Sequence, residues 1–245
     1  EAVELYQRGK TKEAIAAFEE VLKMDPSHDQ TFRLRETVGL EVFIAILGEG
    51  GQIKKVAEYF LEKARAGEID RLTDGKRAAE LARDAVFGKF AQRWEAVREL
   101  ARFGELGAQC LVPFLGNEAD PNARTQAIMA LTKLHQASVL PVLAALDSPG
   151  VLVRQNAAII LGNIKDSRAV APLKALADKP GEDVAVVKLA AESLKKITGR
   201  ESKELKDATS CYHERAKLYF ENHPSTAKSP LGKYWIWKWG TSGLE

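Results

Sequence analysis

The side chains able to do chemistry are few and scattered. The four histidines, His28, His135, His213 and His223, include no HExxH pair, and Cys211 with His213 gives half of a zinc-type spacing without a second half. Acyl transfer needs a nucleophile, a base and an orienting group brought together in space. Cys211 and His213 lie too close in sequence to face each other on a helix, and Cys110 has no base assigned to it. Glu19, Glu20, Glu99 and Glu214 are carboxylates of the kind expected on solvated helix faces. Neither "GEGGQIKK" nor "PLGKYW" has the length, terminal hydroxyl or strand context of a phosphate-binding loop. The expectation is no catalytic residue, no metal and no cofactor.

Recognition chemistry is better supplied. Three of the four tryptophans fall in "KYWIWKWG", residues 233–240. The order has period two, so in an extended chain Trp235, Trp237 and Trp239 share one side while Tyr234, Ile236 and Lys238 take the other. A segment with two apolar sides invites association when bare, which predicts that it packs back on the protein as a clasp or meets a partner. Stacking on bases or sugars, or resting at a bilayer surface, are further uses of such aromatics. The basic supply beside them is small, however, and the segment lacks helical amphipathicity.

Composition sets wide limits. With 245 residues, 45% hydrophobic and 29% charged, the chain has the make-up of a folded protein with one or two domains. A net charge of +2 neither requires nor forbids a nucleic-acid partner. Two cysteines a hundred positions apart suit buried thiols and a reducing compartment, so a cytoplasmic location is slightly favoured. The run "VFIAILG" from Val42 is too short to cross a bilayer, and no transmembrane segment is expected. The chain opens inside an apparent helix, which suggests trimming from a longer protein, and an export signal could have been lost with the trimmed part. The closing Leu244-Glu245 reads as a cloning remnant.

The elements that must position these residues read as helices throughout. "EAVELYQRGKTKEAIAAFEEVLKMDPSH" has apolar residues at a helical period broken at "RGKT", which predicts two short helices folded on each other. Gly9 frees the turn, Ala14 permits close approach, and Asp25-Pro26 stops the second helix. A second pair is expected over residues 30–47 and 52–66, and a boundary in "GEIDRLTDG", residues 67–75.

Beyond the boundary the chain repeats itself. "RWEAVREL" from Arg93, "RTQAIMAL" from Arg124 and "RQNAAIIL" from Arg154 share Arg, Ala and Leu, and a fourth block from Val187 keeps Ala190 and Leu194 without the arginine. The spacings are 31, 30 and 33 residues, with Pro113, Pro141 and Pro172 aligned between the blocks. Each unit holds two helices, neither of which buries its apolar face alone, so neighbouring units must stack. Ala127 and Ala157 are the close-approach positions, Leu131 and Leu161 the core. Asp147 or Ser148 is expected to cap the second helix of its unit, and Gly162 to relax that helix's end. Arg154 would lay its stem over the seam and give its guanidinium to a carboxylate or carbonyl of the adjacent unit. Residues 202–222 predict one more helix, with Leu205, Ala208, Tyr212, Ala216, Tyr219 and Phe220 on an apolar stripe, and "HPSTAKSPLGK" an extended linker.

On Gly9, Ala14, Phe18 and Pro26 the N-terminal segment resembles a tetratricopeptide repeat, a helical hairpin used mainly for binding proteins, although Leu5 stands where a tyrosine is common. On "VRQNAAIILGNI" and "ARTQAIMALTKL" the repeats resemble the HEAT family, especially its short bacterial form shared with phycobilin-lyase-like proteins. That resemblance implies an all-α, right-handed superhelical solenoid of antiparallel helix pairs, here ending in an extended aromatic tail. The domains then read as tetratricopeptide-like hairpins at 1–70, HEAT-like repeats at 76–199, a capping helix at 200–223 and a Trp-rich tail at 224–245. It implies a noncatalytic protein- or peptide-binding scaffold, with a nucleic-acid-binding module or a lyase-like assembly factor as alternatives. Nine residues past each repeat start, Arg102, Lys133 and Lys196 recur with Asn163 interrupting them, a sparse basic ladder for an acidic partner. These three and Trp235, Trp237 and Trp239 are the candidate partner-binding residues.

Overall fold

The computed structural model describes residues 1–221, 223, 236–241, 243 and 244. The chain divides into two compact units, Glu1–Asp74 and Gly75–Glu245.

The first unit holds α1 (Ala2–Gln7), α2 (Thr11–Lys23), α3 (His28–Val38), α4 (Leu40–Glu49) and α5 (Gly51–Leu72). Gly9 has φ of 73°, the left-handed turn that lets α1 fold onto α2. Phe18, Phe43 and Phe60 form its core with Ile46, Ile53, Val56 and Ala57, and the Phe18 and Phe60 rings meet edge to face at 5.7 Å. Two expectations change here. The segment 30–47 is not one helix: Gly39, at φ of 93°, separates α3 from α4. Ser27 starts α3 as a capping box, its Oγ accepting the Gln30 N–H while the Gln30 side chain accepts the Ser27 N–H. Nor does the chain leave helix at Gly67, which is buried inside α5, where a Cβ would stand 2.1 Å from the His28 carbonyl oxygen. Gly67 therefore serves close packing of α5 on α3. Ion pairs Arg35–Glu68, Arg71–Asp29 and Lys63–Asp25 border that contact.

The second unit is a stack of antiparallel helix pairs in a solenoid-like order. It runs α6 (Gly75–Phe87), α7 (Phe90–Phe103), α8 (Glu105–Gln109), α9 (Pro121–Leu134), α10 (Val139–Ala145), α11 (Val151–Ile164), α12 (Val170–Ala177), α13 (Val184–Thr198) and α14 (Ala208–Phe220). First helices α6, α8, α10 and α12 form one layer, and second helices α7, α9, α11 and α13 pack side by side as the other. Buried Ala127, Ala157 and Ala190, with Leu100, Leu131, Leu161 and Leu194, line the seam between them. Small residues let the backbones approach, and the leucines fill the space that approach leaves. Residues Pro121–Ala145 are long and apolar enough to span a membrane on composition alone. They are α9 and α10 with a 3₁₀ turn between them, His135 reversing the chain at φ of 52°, and Ala127, Ala130, Leu131, Leu134, Val139 and Val142 among them belong to the unit's core.

Helix ends follow local chemistry. Asp120, Asp183 and Asp207 each accept N–H groups at the starts of α9, α13 and α14. Helix α11 differs from expectation, for it begins after Gly150 without a side-chain cap. The Ser148 and Pro149 carbonyls instead accept Arg154 Nη1 at 2.7 and 2.9 Å. Gly162 does not loosen the end of α11. It lies buried inside the helix, where a Cβ would come within 2.4 Å of Ser193 Oγ and 2.7 Å of Ser193 Cβ, and α11 ends at Lys165 in left-handed geometry.

The end of the stack is thinner than the sequence suggests. Helix α14 starts only at Ala208, packs on α12 and buries no residue fully, leaving Tyr212 and Tyr219 half exposed. Leu205 falls outside it and joins the core from the preceding turn.

Candidate functional site

Among the described residues, Trp239–Gly240 (β1) pairs antiparallel with Gly243–Leu244 (β2), Trp239 opposite Leu244. Trp239 and Leu244 both pack on the core of the second unit, so Leu244, which reads in the sequence as an appended residue, has a structural place. The Trp237 indole N–H donates to Glu105 Oε2 at 2.9 Å, and Gln109 Nε2 donates to the Leu244 carbonyl. Ile236 and Lys238, between the tryptophans, are exposed. The tail thus lies on the first-helix layer and observes the period-two division; Trp235 lies outside the described residues. Ile236 and Trp237 wall a cavity of about 470 Å³ with Leu140, Leu143, Pro172 and Tyr212.

Arg102, Lys133 and Lys196 each have a local contact of their own. Arg102 stands 3.9 Å from Glu99, and Lys196 donates to Asn163 Oδ1, the residue that interrupts the series. Lys133 is placed differently, its ammonium 3.0 Å from the centroid of the Trp94 ring.

That contact marks a notch the sequence reasoning missed. Between α7 and α9, Phe90, Trp94 and Met129 surround a cavity of about 180 Å³ with Val97, Ala85 and Ala130 at its base and Arg93, Gln126 and Lys133 beside it. Phe90 is 71%, Trp94 51% and Met129 49% exposed. Phe90 and Trp94 meet edge to face at 6.4 Å, which holds both rings upright. A signal existed: one position after each repeat arginine the chain has Thr125 and Gln155 but Trp94 in the first repeat, an aromatic where its siblings are polar.

The repeat arginines explain how this side of the stack is locked elsewhere. Each is the fourth residue of its helix. Arg124 donates to the Asn117 carbonyl at 2.6 Å. Arg154 donates to two carbonyls of its preceding turn and to Glu182 of the next unit. Burial works against a charge on Glu182, but hydrogen bonds from Arg154, the Asp183 N–H and Lys179 outweigh it and hold the carboxyl down to about 2. Asn156 adds a second lock, its amide donating to the buried Leu115 carbonyl of the previous unit.

Helices stacked in pairs, with Arg124 and Arg154 locking the turns before their helices, thus build the second unit. Residues 139–216 match the HEAT repeats. The HEAT segment runs from α10 into α14, so the notch lies N-terminal to it, in the part of the stack that repeats the same pattern. No curated protein matches the chain.

Catalytic chemistry finds no assembly among the described residues. Among the described residues, no group of three His, Cys, Asp or Glu side chains converges as metal ligands would. Burial pushes the Cys110 thiol up, and burial with the nearby Glu214 and Asp207 does the same for Cys211, the opposite of what a nucleophilic thiolate needs.

Proposed function

We propose that this chain is a noncatalytic scaffold that binds a protein or peptide segment on the second-helix layer of its second unit. The observation that carries the reading is the notch: Phe90, Trp94 and Met129 stand exposed together, and Trp94 takes a position that is polar in the other repeats, Thr125 and Gln155. Rigid aromatics supply much contact area at little entropic cost, and Met adapts to irregular partners. A helical repeat presents such residues from regular elements that stay in place when the partner leaves. The N-terminal hairpin fits the same role. Gly9, Ala14, Phe18 and Pro26 support a tetratricopeptide-like reading of α1 and α2, a hairpin type used mainly to bind proteins.

The test is an unbiased peptide-display selection on the immobilised full chain, counter-screened with Trp94→Ser. Enrichment of peptides that bind the native chain and not the variant supports the scaffold reading. A selection in which every enriched peptide binds both proteins equally removes the notch as the binding surface.

A further inference from the structure

Arg93 occupies the same helical position as Arg124 and Arg154 but lacks their partners. The α6–α7 turn is only Gly88 and Lys89, and the Gly88 N–H is already bonded back to Asp84 of α6. No hydrogen bond joins the Arg93 side chain to a carbonyl of that turn among the described residues, whereas Arg124 and Arg154 each bond to a carbonyl of theirs. Arg93 is half buried against the notch, and no carboxylate lies within ion-pair distance of it among the described residues. Lys133 stands across the notch over Trp94, and it too has no carboxylate partner there. The lining thus holds two cations and no anion around an apolar floor.

One size and one charge narrow the occupant. A cavity of about 180 Å³ is close to the ~150 Å³ that holds a benzene ring in an apolar protein site. It takes one large side chain, and an extended apolar surface would find no further room. A guanidinium without an anion partner can take a carboxylate in a charge-assisted, two-pronged hydrogen bond.

We infer that the notch between α7 and α9 receives one bulky apolar side chain, aromatic or large aliphatic, from a partner peptide that carries a carboxylate beside it for Arg93 and Lys133. This rests on the peptide-binding reading above and adds the partner's chemistry to it. The anchor packs between Phe90, Trp94 and Met129, and the flanking acid faces Arg93. A single-stranded nucleic acid also pairs negative charge with a stackable ring, and oligothymidylate is the probe that separates it from an acidic peptide.

The experiment is fluorescence polarisation of the full chain with four labelled probes. They are a short peptide with one phenylalanine flanked by glutamates, its lysine-flanked counterpart, a glutamate peptide with alanine for phenylalanine, and oligothymidylate. The expected result is binding of the first alone, weakened about tenfold by Trp94→Ser and about fivefold by Arg93→Gln, and weakened further by added salt. Arg93→Gln removes no core side chain, so it keeps the test valid should Trp94→Ser fold poorly. Equal binding of the lysine-flanked peptide, or no effect of Arg93→Gln, overturns the acidic assignment and leaves the scaffold reading standing on its display selection. Binding of oligothymidylate alone overturns it in favour of nucleic acid. Concentration-dependent self-association that Trp94→Ser abolishes overturns it in favour of a second copy of the chain.

Discussion

At the scale of residues, the Arg154–Glu182 pair is where sequence chemistry, packing and pH meet. The Glu182 side chain is 2% exposed, and its charge survives only because three donors face it. Glu182→Gln should therefore cost about 1.5–3 kcal/mol in urea unfolding at pH 7, the range for hydrogen bonds to a charged group. The sign with pH follows from the lowered carboxyl. The stabilisation is complete above the ordinary value of 4.5 and is lost as pH falls toward about 2. The gap between native and variant should thus narrow between pH 5 and about 2; a gap that stays constant there would remove Glu182 as the titrating group. Gly162 gives a second residue-scale outcome. Alanine is favoured over glycine inside a helix by about 1 kcal/mol, yet at position 162 its Cβ would overlap Ser193 Cβ and Cα, which no rotamer change relieves. Overpacking costs about 1–3 kcal/mol, so Gly162→Ala should lower the melting temperature. A rise would mean that α11 and α13 can part without loss.

At the scale of elements, the tail acts as a strap made of alternate residues. Trp239 and Leu244 face each other across β1 and β2 and pack on the core, while Trp237 ties the strap to α8 through Glu105. A two-residue strand pair has no stability of its own, so what holds it is the apolar area it covers. Trp239→Ala should cost about 1–3 kcal/mol of thermal stability, below the value for a fully buried tryptophan because Trp239 is only partly covered. Trp237→Phe keeps the ring and loses the indole N–H, and should cost about 1 kcal/mol; melting curves unchanged by both would separate the tail from the stack. Period two was legible in "WIWKW", and the repeats were legible in their Arg, Ala and Leu offsets, because both rest on spacing within one element. The notch was not, since it needs α7 and α9 brought side by side and depends on an arginine's lacking a partner. The helix break at Gly39 and the packing roles of Gly67 and Gly162 were hidden for the same reason: a glycine's sequence context does not say whether it turns the chain or lets another element close.

At the scale of the whole molecule, the two units bury separate sets of side chains. Phe18, Phe43, Ile46, Ile53, Val56, Ala57 and Phe60 form one core, and the seam of alanines, leucines and isoleucines from Leu81 to Leu194 forms the other, with no member in common. Their logic differs as well. The first core closes around three aromatic rings, so removing one opens it at its centre; the second is spread along a stack in which each pair contacts its neighbours, so a loss there is shared locally. Phe43 is 1% exposed, and Phe43→Ala should destabilise its unit by about 3–5 kcal/mol. Hydrogen exchange followed by peptide mass would then show protection falling across α2, α4 and α5, the helices that share this core, with α9, α11 and α13 unaffected. Leu161→Ala supplies the converse, since Leu161 is fully buried in α11 and the loss should reach α9 and α13 while α2, α4 and α5 keep their protection. Loss of protection in both units from either substitution would show that the two cores unfold as one, and the separate-core account would fall.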